Sequence, residues 1–332
     1  MLPPVWRPLV TLVTLIAAAA ITAGCGGSSG APDHPARSAT LVLDFTPNPV
    51  HVGIYTALAR HYDTAAGVKL HVISPSASTD SIRLLETGRA DFAILDIHDL
   101  AIARERGENI VGILPIVERP LASVIAEPAV TSPRQLIGKT VGISGAPSDT
   151  AVLDSIVAGA GGQPKQLKTI TIGFNAVSDL LAGKVAGATA FWNDEGVTLN
   201  RQRPGFHVFR VENYGAPSYP ELVVCATSKS LKADPARARA VVRALVRGYD
   251  LALAQPAVGQ HALESQVPGL NHALDSAELA GLGAAFRGPE GHFGVLDPAL
   301  LHRWAAWEAR FGIVQSPPDV ATTFDTAFAP KG

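Results

Sequence analysis

The chain has 332 residues, 47% of them hydrophobic, and a net charge of −2 at pH 7. That length and apolar content can bury a large core and predict two lobes rather than one small stapled domain. Two cysteines exclude a cysteine-rich metal site, and the near-neutral charge without a long basic block excludes a nucleic-acid partner.

The first segment sets the compartment. Arg7 supplies a positive start, and the apolar run from Leu9 to Ala23 has the length of a secretory signal and is short for a membrane span. It ends in Ile21-Thr22-Ala23-Gly24-Cys25, followed by Gly26-Gly27-Ser28-Ser29-Gly30. This arrangement resembles the lipobox of bacterial lipoproteins, although Thr22 stands where that pattern usually has Leu. The resemblance implies cleavage before Cys25 and lipid on its thiol; an ordinary cleaved signal or a short membrane anchor are the alternatives. Residues 1–24 are therefore read as signal peptide and 25–39 as a flexible tether rich in Ser, Gly and Pro. On that reading Cys225 is the one thiol left. No disulfide framework can form, and its apolar run, Leu222 to Ala226, makes it a buried strand thiol rather than a nucleophile.

Structure is expected from Thr40. Strands are predicted at 39–45, 68–73, 90–95 and 110–117, with helices at 51–61, opening at 78–80, and at 99–106 between them. This β-α-β-α-β-α-β order predicts a mostly parallel sheet covered by helices. The pattern restarts with a short helix at 132–136, strands at 139–143, 169–172, 186–191 and 208–211, and helices at 149–158 and 176–182. A strand at 222–227 leads into helices. Asp234-Pro235 is a cap and first-turn pair for a helix to about Ala254, which Pro256 stops; Asp297-Pro298 opens another that ends near Gly312. The expected fold is α/β with two mixed sheets flanked by helices and two hinge crossovers, near 121–126 and 217–224. The first lobe is drawn as 40–122 with 225–330, the second as 123–224. The cleft between lobes is the expected ligand site.

Polar and aromatic residues gather where predicted strands give way to helices, the place where open α/β sheets bind ligands. Asp44, Phe45 and Asn48 follow the first strand, and His51 and Tyr55 lie four apart on the next helix. Two readings stand for them. Asp44 and Asn48 bond a ligand with Phe45 and Tyr55 as stacking surfaces, or they are turn and cap residues with Phe45 in the core. Ser144, in Ser144-Gly145-Ala146-Pro147-Ser148-Asp149, opens another helix whose amides and hydroxyls suit an anionic or polar substituent, or simple capping. No Gly-Lys-Ser/Thr follows, so this is not a nucleotide-hydrolysing loop. No G-x-S-x-G or H-E-x-x-H occurs, and the scattered histidines lack metal-ligand spacing.

Two runs carry a family resemblance: LDFTPNPVHVGIYTALA, beginning at Leu43, and AFWNDEG, beginning at Ala190. Both resemble signatures of the thiamine-pyrimidine precursor-binding proteins, substrate-binding lipoproteins of ABC importers related to a fungal pyrimidine synthase. GISGAPSDTAVL and YGAPSYPELVV extend the likeness. Phe45 stands where that family usually has Trp. The resemblance implies a two-lobed periplasmic-binding-protein fold of type II and a small aromatic heterocycle, first of all a thiamine-precursor aminopyrimidine, held in the cleft. A flavin or an alkanesulfonate-like solute is the alternative within the class, and a pyrimidine-forming enzyme the alternative outside it. Glu195 would face the aminopyrimidine edge, Trp192 would form wall or core beside it, and Tyr219 would line the returning crossover. The partners implied are an ABC permease and, through Cys25, a membrane. The protein is expected to act as a monomer, without cofactor, metal or catalytic residues, outside the cytoplasm.

Overall fold

The computed structural model describes residues 37–288 and 290–331. The signal peptide, most of the tether and Cys25 lie outside the described residues. Ten strands build two five-stranded mixed sheets. The first contains β1 (Arg37–Val42), β2 (Val68–Ile73), β3 (Phe92–Asp96), β4 (Ile110–Val117) and β10 (Leu222–Thr227), in the order β2-β1-β3-β10-β4. The second contains β5 (Ala122–Ala126), β6 (Thr140–Ile143), β7 (Lys168–Thr171), β8 (Gly187–Phe191) and β9 (His207–Arg210), in the order β7-β6-β8-β5-β9. In each sheet one strand runs against its neighbours: β10 against β3 and β4, and β5 against β8 and β9. Both are the strands that arrive from the other lobe, so the same topology is built twice.

Alternation along the strands produces the layers. In β10, Leu222, Val224 and Ala226 enter one core cluster, whereas Val223 and Cys225 enter another on the opposite face. Cys225 is fully buried, and burial pushes its thiol pKa well up. The first cluster lies under the long helix Pro235–Ala254, which packs on helix Val52–Ala59. Their approach is close: a Cβ on Gly53 would stand 2.1 Å from the Tyr249 ring, and one on Gly248 would stand 2.0 Å from the Gly53 carbonyl oxygen. The Tyr249 hydroxyl donates to Val50 O at 2.9 Å, pinning the helix start beside the cleft.

Strands expected at 68–73, 110–117 and 222–227 coincide with β2, β4 and β10. Three local expectations differ. Residues 121–126, read as crossover, contain β5, the strand between β8 and β9; the chain changes sheets in Glu118–Leu121 and returns between Arg210 and Leu222. β1 opens at Arg37, inside the residues read as tether, because Arg37 and Ser38 pair with Val68 and Lys69. Pro256 does stop one helix, but it also occupies the first turn of the next, Pro256–Gln266, with His272–Leu282 following. No described helix is long and apolar enough to cross a membrane.

Candidate functional site

The carboxyl ends of β1, β3, β6, β7 and β8 meet around a cleft of about 130 Å³. Asp44 and Phe45 follow β1, Asp96 closes β3 and Asp99 lies one helical turn on. Ser144 and Asp149 follow β6, Phe174 follows β7, and Asp194 and Glu195 follow β8. Among the described residues, six carboxylates line this space, with no lysine, arginine or histidine.

Asp44 is held from behind. His51 is fully buried and its Nε2 lies 2.9 Å from Asp44 Oδ1. The Asn48 backbone N–H donates to His51 Nδ1 at 3.2 Å, so the ring proton is on Nε2 and is donated to Asp44. Asn48 Oδ1 in turn accepts from Val50 N at 2.8 Å, capping the short 3₁₀ turn Pro49–His51. Asn48 and His51 therefore position Asp44 and do not themselves line the cleft.

The second lobe presents Glu195 from the turn after β8. Its Oε2 accepts from Phe191 N at 3.0 Å, which orients the carboxyl at the start of helix Glu195–Gln202. Burial, and then the charge of neighbouring Asp194, push Glu195 up to about 8. Asp99 is likewise pushed up to about 8 by burial and by Asp96, and burial pushes Asp194 up to about 6. These acids crowd one another in a poorly hydrated space, so near neutral pH several hold protons unless a cationic or N–H-rich solute joins them.

The lobes touch across the cleft. Phe45 and Phe174 meet edge to face with centroids 4.5 Å apart. Ser148 N donates to Asp99 Oδ1 at 3.0 Å, and Thr198 Oγ1 donates to Glu278 Oε1 at 3.3 Å. The two crossover segments are clasped where they run side by side. Glu221, fully buried on the return, accepts from the N–H groups of Leu121 and Ala122 on the outward crossing.

Of the residues singled out in the sequence, Asp44, Phe45, Ser144 and Glu195 line the cleft. Besides Asn48 and His51, three others are placed elsewhere. Tyr55 is buried in the first-lobe core rather than in the cleft wall, because its helix turns it toward the long C-terminal helices. Tyr219 is fully buried with its hydroxyl 3.0 Å from His98 Nε2, in a network that continues from His98 Nδ1 to Glu308. Trp192 donates from Nε1 to Pro120 O at 3.0 Å, bracing the hinge under the Arg210 guanidinium. The Ser144 loop also differs from the expectation of an anion cradle: its amides are already taken by Asp149.

Phe174, Asp99 and Asp194 were not singled out from the sequence, and Asp149 was read there only as part of a capped helix opening. Asp194 sits within the AFWNDEG run and Asp99 just beyond β3, so motif and strand-end position offered a signal for both. Phe174 follows a strand whose four residues are all exposed, and nothing local marks it. Among the described residues, Asp96, His98 and Glu221 are close enough to hold a cation. Both His98 ring nitrogens already face Glu308 and Tyr219, so this set is a polar hinge network.

Over 293 residues the chain is 27% identical to the formylaminopyrimidine-binding protein of Halalkalibacterium halodurans, covering 86% of this chain and 88% of that one. It is 25% identical over 162 residues to the 4-amino-5-hydroxymethyl-2-methylpyrimidine phosphate synthase of Legionella pneumophila, covering 48% of this chain and 51% of that one. The alkanesulfonate-binding protein SsuA from Xanthomonas axonopodis pv. citri superposes with a TM-score of 0.68 at 14% identity, over 88% of this chain and 99% of that one; it shares the fold. A family model matches residues 48–258, and the chain belongs to the NMT1/THI5 like family.

Proposed function

We propose that this protein is the substrate-binding component of an ABC importer and that its solute is an aminopyrimidine related to thiamine precursors. The observation that carries the reading is the cleft lining among the described residues: six carboxylates, no cationic side chain, and two phenylalanines in edge-to-face contact. A flat ring bearing an amino group next to a ring nitrogen suits that surface. One of its faces packs against the Phe45–Phe174 pair, its amino N–H groups bond carboxyl oxygens, and Glu195 and the ring nitrogen share a proton. The similarity to a formylaminopyrimidine-binding protein supports the same ligand class. A sulfonate, the solute named for the Xanthomonas protein, would find no cationic side chain to pair with here.

Ligand contacts from both lobes would favour the closed arrangement, the form a permease distinguishes from the open one. We further propose that Cys25 carries a lipid anchor, that the protein works as a monomer outside the cytoplasm, and that it turns nothing over. Titration calorimetry with a formylaminopyrimidine, hydroxymethyl-aminopyrimidine, flavin and methanesulfonate tests the ligand. Stoichiometric binding of an aminopyrimidine, recovered unchanged, supports the receptor. Conversion of the pyrimidine would support an enzyme of the kind its synthase relatives are named for, and binding of methanesulfonate alone would sink the proposal.

A further inference from the structure

The N–H donors at the second-lobe wall of the cleft are occupied by carboxylates of the protein itself. Asp149 Oδ2 accepts from Gly145 N at 2.6 Å, Ala146 N at 2.8 Å and Ser144 Oγ at 2.9 Å, and its Oδ1 accepts from Thr189 Oγ1 at 3.0 Å. The next amide, Ser148 N, is taken by Asp99 from the other lobe. The donors on Asp149 come from two elements, the loop after β6 and strand β8, and they converge on a carboxylate that lines the cavity. The first lobe repeats the device. Asp80 Oδ2 accepts from Ser76 N at 2.8 Å and Ala77 N at 3.0 Å, and from the Ser76 hydroxyl.

Convergent amides and hydroxyls are a binding concavity for oxyanions, and a sulfonate or sulfate offers them the same kind of oxygen acceptor as a carboxylate does. Filling that concavity with a tethered carboxylate withdraws the donors from any solute. It also turns a negative group toward the cavity, so an incoming oxyanion meets repulsion rather than hydrogen bonds. We infer that Asp149 is a specificity-determining residue: it closes an oxyanion cradle built into this cleft, and without its carboxylate the cleft accepts a small tetrahedral oxyanion. The inference rests on the cleft being the solute site, and it extends the proposed function by naming what excludes anionic solutes.

The test compares wild type with Asp149→Ala and Asp149→Asn, using methanesulfonate in thermal-shift and calorimetric titrations. The alanine variant should gain saturable binding and a rise in melting temperature with methanesulfonate. Wild type and Asp149→Asn, which keeps an acceptor oxygen in the cradle, should show neither. Adding Thr189→Val to the alanine variant should weaken the acquired binding by about tenfold, because one donor to the anion is lost. A folded alanine variant that ignores methanesulfonate reduces Asp149 to a helix-start cap and overturns the inference, as does equal binding by wild type. Should the alanine variant not fold, Asp149→Ser, which leaves a hydroxyl for the loop, is scored by the same criteria. Failure of wild type to bind any aminopyrimidine would remove the proposed ligand and leave the oxyanion result readable by itself.

Discussion

His51 and Asp44 form a buried donor and cleft-facing acceptor pair, with His51 Nε2 2.9 Å from Asp44 Oδ1. The bond uses one carboxylate oxygen and fixes the plane of the other, so a residue outside the cleft lining sets the aim of one that faces the cleft. Replacing His51 with Ala should therefore weaken aminopyrimidine binding by roughly ten- to a hundredfold, the value of one hydrogen bond to a charged group. His51→Gln, whose amide can donate to the same oxygen, should recover part of that loss. Calorimetry on both variants, with melting temperature as a check on folding, decides. Equal affinity in wild type and His51→Ala would remove the pair from recognition.

Glu195 gives a pH dependence with a definite sign. Its pKa in the folded protein is pushed up to about 8, so below that value it carries a proton that it can share with a ring nitrogen. Above it, a carboxylate faces a nitrogen lone pair. Aminopyrimidine affinity should hold below about pH 8 and fall beyond it. Glu195→Gln should bind with a flat profile, whereas Glu195→Ala should bind poorly throughout.

The same shifts bear on stability. Asp99 and Glu195 are both raised above their unfolded values, so the folded state holds their protons more tightly. Their stabilisation is full below the ordinary carboxylate range and is lost as pH rises toward about 8. The melting temperature of ligand-free protein should decline across that window, less steeply in Glu195→Gln. A decline of wild-type steepness in this variant would show that Glu195 carries no such proton.

Phe45 and Phe174 should be coupled. They meet at 4.5 Å across the lobes, and such pairs contribute about 0.5–1.5 kcal/mol beyond their buried area. Each alanine variant should lose ligand affinity, and the double variant should lose less than the two losses combined. Simple additivity in a double-mutant cycle would mean that the rings act separately.

Away from the cleft, Gly53→Ala should destabilise the fold by about 1–3 kcal/mol, since its Cβ would overlap the Tyr249 ring and force the two helices apart. Urea midpoints measure this. An unchanged midpoint would mean that the helix pair moves apart at no cost.

The second sheet shows where sequence patterning stops. Strand β6 and helix Asp149–Gly159 were legible from their apolar runs and the Ser-Asp opening, but β5 was read as a hinge crossing rather than as an internal strand of this sheet. Ala122–Ala126 is five residues long and buried on both faces, so it lacks the alternation that marks a half-exposed strand. At the site, Asp44 and Glu195 were legible because each sits in a run of distinctive composition at a strand end. Tyr55 and Tyr219 were misplaced because an aromatic side chain at a helix or crossover reads alike whether it faces a cleft or a core. Their direction is set by what packs beside them: the C-terminal helices for Tyr55, and His98 for Tyr219.

By itself, the sequence determined the order of elements, the doubled α/β pattern and the family signatures, because periodicity, caps and strand-end motifs are local. Only the tertiary structure decided that six carboxylates share one cleft without a cation, that Phe174 meets Phe45, and that Asp149 fills the loop it follows. Those relations join residues far apart in the chain or depend on which way a side chain turns. Their consequences follow from distance and burial, which the folded chain sets and composition does not.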